Sequence, residues 1–232
     1  MFEKNNIGQP IGTHIVNWKG CPWPPKKSIN GNYCKLEPLS ISEHSKELFE
    51  VFIEDSDGHN WTYLPYGPFS DLKSFCNWLK GECLKEDPQF QVIIDKRNNK
   101  PVGMASYLRI NPAVGVIEVG HIHYSNKMQK TCIATEAMYL MMARVFDDLG
   151  YRRYEWKCDA LNEKSCRAAK RLGFTFEGVF RQATIYKGRN RDTAWYSVLN
   201  HEWPRIKKSY DSWLSASNFD NSGKQLNSLN FL

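Results

Sequence analysis

An alternating run from Val114 to His123 passes into a polar loop, Tyr124 to Lys130, and then into a long apolar helix opening near Thr131. Period-two alternation marks a strand with two different faces. Ile133, Ala137, Met141, Val145 and Leu149 recur every fourth residue, the pattern of a largely buried helix closed by Gly150. Strand, loop and helix N-terminus in that order leave the N–H groups of the first helical turn pointing outward. The helix dipole adds partial positive charge there, so the expected guest is an anion such as a cofactor phosphate.

Around this unit the chain reads as a mixed α/β domain. Residues 1–30 form an irregular arm, since Cys21 to Pro25 holds too many prolines for a helix, and Ile11, Ile15, Trp18 and Trp23 expect to lie over the domain. Tyr33 to Glu37 alternates as a first strand. Ser42, as N-cap, opens a helix to Glu54 whose inward side is Leu48, Phe49 and Phe52, and Ser70-Asp71 opens another to about Lys85. Between them lies an aromatic loop, Trp61 to Phe69. Strands follow at Phe90–Asp95 and Pro101–Ile110, then the strand of Glu118, the long helix, a strand at Tyr154–Cys158 and a short helix from Asn162 to Arg171 closed by Gly173. Two last strands, Phe174–Phe180 and Ala194–Leu199, flank a turn at Lys187–Asn190. A helix from Glu202 to Leu214 precedes a polar tail, residues 218–230, expected to fray. Only the later helices cross between strands, so the sheet is mixed rather than doubly wound.

Charge and cysteines narrow the function classes. Between Lys127 and Arg191 fourteen Lys and Arg face seven Asp and Glu, so the net charge of +6 is concentrated beside the anion loop. The basic residues are spread over several elements and no zinc-finger, RNP or zipper motif accompanies them, which argues against nucleic acid. Seven scattered cysteines without a C-x-x-C pair point to reduced thiols in a cytoplasm, not to disulfides or zinc. No apolar run reaches the roughly eighteen residues a membrane span needs, and the first twenty residues lack a secretion signal.

The motifs Gln129-x-x-Cys132-x-Ala134, Asn162-x-x-Ser165, Leu172-Gly173-Phe174, Glu177-Gly178 and Gly188 to Asp192 resemble, in order and spacing, those of GCN5-related N-acetyltransferases (GNAT). The resemblance covers roughly Gly31 to Trp203 and is nearest to the ribosomal-protein N-terminal acetyltransferases. It divides the chain into an N-terminal arm (1–30), the acetyltransferase domain (31–203) and a C-terminal helix end with its tail (204–232). It implies the GNAT fold, an α+β type of α/β protein with a mostly antiparallel mixed sheet and helices on both faces. It also implies acetyl-CoA as co-substrate, no metal, and direct acetyl transfer to a primary amine on a protein N-terminus, a lysine or a small molecule. A non-catalytic CoA-binding module is the alternative, and the arm or the last helix could seal a homodimer.

Carried over residue by residue, the resemblance assigns the cofactor to Ile122, His123, Tyr124, Gln129, Lys130, Thr131, Cys132, Ile133, Ala134, Thr135 and Asn162. Cys132 stands where the family usually has glycine, a small-for-small exchange. Glu118, eleven residues before Gln129, matches a general base; its other reading is a carboxylate held by Lys or Arg. Ser165 matches a serine that handles the leaving thiolate, while the family's usual tyrosine acid falls at Ala169 and is missing. Trp61, Tyr63, Tyr66 and His121 match the acceptor groove, or else the aromatics cap a core. His121 and His123 fit proton shuttles, packing residues or metal ligands. Simple alternation sets both opposite Glu118 unless a bulge intervenes.

Overall fold

The computed structural model describes residues 2–221 and 223–231. Its strands are β1 (Phe2–Lys4), β2 (Pro10–Gly12), β3 (Ile29–Asn30), β4 (Cys34–Pro38), β5 (Gln89–Asp95), β6 (Lys100–Asn111), β7 (Val116–Tyr124), β8 (Arg153–Asp159), β9 (Thr175–Tyr186) and β10 (Arg189–Leu199). Its helices are α1 (Ile41–Phe52), α2 (Leu72–Trp78), α3 (Cys132–Ala143), α4 (Glu163–Arg171) and α5 (Trp203–Leu214). α2 and α3 each run on into a wider π-turn, at Leu79–Cys83 and Arg144–Asp148. β3 to β10 form one sheet in the order β3-β4-β5-β6-β7-β8-β10-β9, every neighbour antiparallel except β7 and β8. That parallel pair exists because α3 carries the chain back across the sheet, a connection no tight hairpin can make.

Alternate residues of β5 and β6 feed two cores on opposite faces. Ile93, Ala105 and Tyr107 pack with Met138, Met141, Tyr210 and Leu214 of α3 and α5. Phe90, Val92 and Met104 pack with Leu48, Phe52, Phe75 and Leu79 beside α1 and α2. Helices therefore cover both faces of the sheet, as expected.

Four local expectations are corrected. The arm is not irregular throughout: β1 and β2 pair as a hairpin, with Ile11 and Ile15 each 43 % exposed. What lies over the domain is the stretch from Trp18 to Ser28. Trp18 Nε1 donates to the Ala113 carbonyl at 2.7 Å, while the carbonyls of Pro22, Pro24, Lys27 and Ser28 accept from Tyr151, Gln89 and Arg144. Proline removes donors and keeps acceptors, so a proline-rich strap is held through its carbonyls. The helix cap shifts from Ser42 to Ser40, whose N–H is taken by His44 Nδ1 at 3.1 Å. The β9–β10 turn shrinks from Lys187–Asn190 to Lys187-Gly188, both at positive φ, as a two-residue hairpin turn requires. The tail does not fray: Asn218 is buried and bonded to Asn227, and Phe231 packs on Tyr210.

Candidate active site

β7 and β8 stay paired only from Val116↔Arg153 to Val119↔Trp156, although both strands run on. Beyond that point they part. On β7 a bulge begins just there: Ser106 faces Gly120 and Met104 faces His123, so the single Ala105 opposes both His121 and Ile122. His121 absorbs the extra residue in the left-handed region, at φ +50°. The bulge overturns the simple alternation. His121 lies against Tyr66 and Phe90, and His123 between Phe52 and Trp61, all on the α1–α2 side of the sheet. Glu118 stands in register with Glu155 of β8, and its carboxylate lies beside Gly120.

Two carboxylates abreast on neighbouring strands repel, and the sheet answers with cations. Lys157 Nζ, on a side chain 8 % exposed, sits 2.8 Å from Glu118 Oε2 and 2.7 Å from Glu155 Oε2, and 3.7 Å from the centre of the Trp195 ring. Arg109 Nη1 donates to Glu118 Oε1 at 2.7 Å, and Arg153 joins Glu155 to Glu177. Glu118 is 3 % exposed. Burial pushes its carboxyl above the ordinary range, and Arg109 and Lys157 offset that only in part.

The aromatic loop closes over this face and is tied on three sides. Asn60 bonds both Asn126 (3.0 Å) and Gln129 (2.9 Å) of the anion loop. The Trp61 carbonyl accepts from Lys187 at the hairpin tip, and Tyr63 donates to the Leu161 carbonyl before α4. Tyr66 Oη lies 3.1 Å from His121 Nδ1. Burial drops the His121 imidazole to about 4 and that of His123, 1 % exposed with neither ring nitrogen bonded, to about 3. Among the described residues the one grouping of three metal-type donors is Glu37, Glu43 and His44, which includes neither of these histidines.

The loop from Tyr124 to Lys130 is a tight turn plugged by buried Met128, with Met128 and Gln129 N–H both on the Ser125 carbonyl and Lys130 at φ +61°. Thr131 occupies the N-cap of α3 but turns its hydroxyl back to the Met128 carbonyl at 2.7 Å. No side chain therefore caps α3, and its first N–H groups are left for a guest. Tyr124, Ile133 and Thr135 point inward: Tyr124 Oη reaches the Ala134 carbonyl, Ile133 joins the core, and Thr135 accepts from Arg171. Cys132 is half-buried, and burial raises its thiol. Asn162 caps α4 through Ser165 N–H, and Ser165 Oγ accepts from Trp156 Nε1 at 3.0 Å, beside the opening between β7 and β8.

The sequence profile of the acetyltransferase (GNAT) domain matches residues 35–175. The chain belongs to the GNAT acetyltransferases. A crystal structure of a GCN5-related N-acetyltransferase from Brucella melitensis superposes with a TM-score of 0.91 at 45 % identity, covering 93 % of this chain and 97 % of its own. A probable GNAT acetyltransferase from Chromobacterium violaceum gives 0.79 at 38 %, over 84 % of this chain and 98 % of its own. The uncharacterized N-acetyltransferase YnaD of Bacillus subtilis is 27 % identical over 161 residues, 68 % of this chain and 91 % of that protein. The fold alone is shared with a structure described as a putative ribosomal-protein-serine acetyltransferase from Vibrio cholerae (TM-score 0.65, 18 % identity, 75 % of this chain and 98 % of its own) and with an acetyl transferase from Salmonella typhimurium (0.64, 20 %, 75 % and 99 %). The protein is thus an acetyl-CoA-dependent acetyltransferase, and no described helix is long and apolar enough to cross a membrane.

Sequence reasoning missed several residues of this GNAT site. Lys157, Glu155 and Arg109 surround Glu118 only because β6 and β8 flank β7, which no local pattern announces. Glu136 accepts from the backbone N–H groups of Asn32, Tyr33 and Cys34, each at 2.7 Å, locking the β3–β4 turn onto α3. It did leave a signal: it is the one acidic residue in the apolar run between Cys132 and Arg144.

Proposed function

We propose that this acetyltransferase moves the acetyl group of acetyl-CoA to a primary amine, with Glu118 as general base. The observation that carries the reading is the parting of β7 and β8 one pair beyond Glu118 and Glu155, beside an α3 N-terminus that no side chain caps. A cofactor with a pyrophosphate and a long amide-bearing arm suits both features. The N–H groups of Lys130 and of Cys132 to Ala134 would hold the pyrophosphate, those of Gln129 and Thr131 being spent on the Ser125 and Met128 carbonyls. Asn162 with the free strand edges near Ile122, His123 and Cys158 would hold the arm.

Acetyl-CoA supplies the thioester. The acceptor enters between Tyr63, Tyr66 and His121 on one side and β10 on the other. Trp61, expected in the groove, is 4 % exposed and packs in the core against Phe52 and Phe69. Glu118 takes its ammonium proton, the amine nitrogen bonds to the acetyl carbon, and the carbon–sulfur bond breaks. Backbone N–H at the bulge near Ile122 polarises the carbonyl oxygen. Ser165 accepts from Trp156 Nε1 and its hydroxyl also reaches the Cys158 sulfur, so its proton already faces a thiol-type acceptor and would pass to the departing thiolate. All seven cysteines are unbridged, in keeping with a cytoplasmic setting.

The test begins with thermal unfolding against acetyl-CoA, followed by thiol release over a panel of amines. Glu118→Gln should lower the rate about 10²- to 10⁴-fold and remove the acidic limb of the pH–rate profile. An unchanged rate and profile would end the base assignment. Absence of any saturable acetyl-CoA effect on unfolding would end the wider reading.

A further inference from the structure

The cations on the Glu118 face are almost all committed. Arg109 holds Glu118, Lys157 holds Glu118 and Glu155, Arg153 holds Glu155 and Glu177, and Lys187 donates to the Trp61 carbonyl. Arg191 differs. It sits on β10, where Trp195 pairs with Lys157 and Thr193 with Asp159 of β8, and its Nε donates to Thr193 Oγ1 at 3.2 Å. This side chain therefore lies on the same face, toward the end where β7 and β8 part. Its charge is felt at the His121 imidazole and at the Cys158 thiol, one on each of the parting strands. Its guanidinium stands 5.8 Å from the Tyr186 ring.

Among the described residues no carboxylate forms an ion pair with Arg191. Asp159, opposite Thr193 on β8, has its oxygens on the Tyr186 hydroxyl (2.8 Å) and the Leu161 N–H (2.9 Å). Asp192, next to Arg191 on β10, accepts from the Gln182 N–H and the Asn190 side chain. The guanidinium keeps Nη donors in a fork that matches a carboxylate. It also repels any acceptor whose only charges are positive.

We propose that Arg191 is a specificity-determining residue, and that the acceptor is an amine accompanied by a carboxylate rather than a bare polyamine. This rests on the N-acetyltransferase reading and sharpens it. The amine turns toward Glu118 and the carboxylate toward Arg191, so the molecule is held at both ends across the opening. Small amino acids and acidic peptide N-termini share that chemistry.

Binding to the full chain saturated with CoA tests this without turnover. Two probe pairs differ only in the carboxylate: β-alanine against β-alaninamide, and C-terminally amidated Ser-Asp against amidated Ser-Asn. Spermidine serves as the bare polycation. The carboxylate member of at least one pair should bind roughly ten- to a hundredfold tighter than its amide, with spermidine weakest. Arg191→Gln should erase that preference while leaving amide binding in place. A preference in the first pair identifies a small free acceptor; one confined to the second identifies a peptide N-terminus. Equal binding within both pairs, no binding by any probe, or a preference surviving in Arg191→Gln overturns the proposal. Should Arg191→Gln not fold, the wild-type preference must instead shrink as salt rises from 20 to 300 mM on the order of the screening expected for an exposed pair, and persistence overturns it. Thiol release is scored separately. Its absence with every amine condemns the transfer reading, whereas the binding comparison condemns only the role of Arg191.

Discussion

Glu136 offers the most direct test of how this fold fixes the first turns of α3 against the β3–β4 turn. Its carboxylate accepts three backbone N–H groups at 2.7 Å, and Cys34, the last of them, is wholly buried. Glu136→Ala would orphan all three donors. A buried donor left unpaired costs about 1–3 kcal/mol. Asn32 and Tyr33 are partly buried and can regain water, so about 1 kcal/mol each is reasonable, with Cys34 near the upper end. Removing a buried charge returns some desolvation energy, which leaves a net loss of about 4 kcal/mol. For a chain of this size that lowers Tm by roughly 8–16 °C. Glu136→Gln retains one acceptor oxygen and should lose about half as much. Urea unfolding followed by tryptophan fluorescence measures the loss, and hydrogen exchange at Asn32, Tyr33 and Cys34 locates it. Glu136→Ala within 1 kcal/mol of wild type, with those amides still protected, would refute the reasoning.

His121 and His123 are held near 4 and 3, below the unfolded value of about 6.5. The unfolded chain therefore binds protons first, and stability is full above pH 6.5 and lost as pH falls toward 4; at pH 5 the loss is about 4 kcal/mol. His123→Phe should raise stability at neutral pH by about 1–3 kcal/mol, since neither ring nitrogen has a partner, and should halve the acid sensitivity. Destabilisation in pH-dependent unfolding would show that those nitrogens are satisfied. Lys157→Met leaves Glu118 and Glu155 abreast without their shared cation and should cost about 3–5 kcal/mol. The acidic limb of the pH–rate profile should move upward, and an unmoved limb would uncouple Lys157 from Glu118. Deleting residues 219–232 removes Phe219, Leu229 and Phe231 from the core and should cost about 3 kcal/mol, read as a lower urea midpoint.

Periodicity and end signals were enough to place the main elements of the sheet and its helices. The α3 pattern at four-residue spacing, Asp71 as a cap bonded to Ser74 N–H at 2.8 Å, and Asn162 as the cap of α4 all reappear in the structure. These are local features, decided within one helical turn. The strand, loop and helix order around Gln129 reappears as well, and with it a helix start that no side chain caps, because such a start depends on little beyond that order.

Other features were decided only by assembly. The bulge at His121 depends on pairing with β6, so strand alternation set both histidines on the wrong face. The neighbours of Glu118 come from residue 109 on the antiparallel partner β6 and from residues 155 and 157, which arrive because α3 returns the chain parallel to β7. Likewise the tail reads as polar and loose until Phe231 finds Tyr210. Local propensity and capping are short-range energies and can be read along the chain. Burial, ion pairing and the pKa changes they cause depend on neighbours far apart in sequence, and only the folded sheet brings those together.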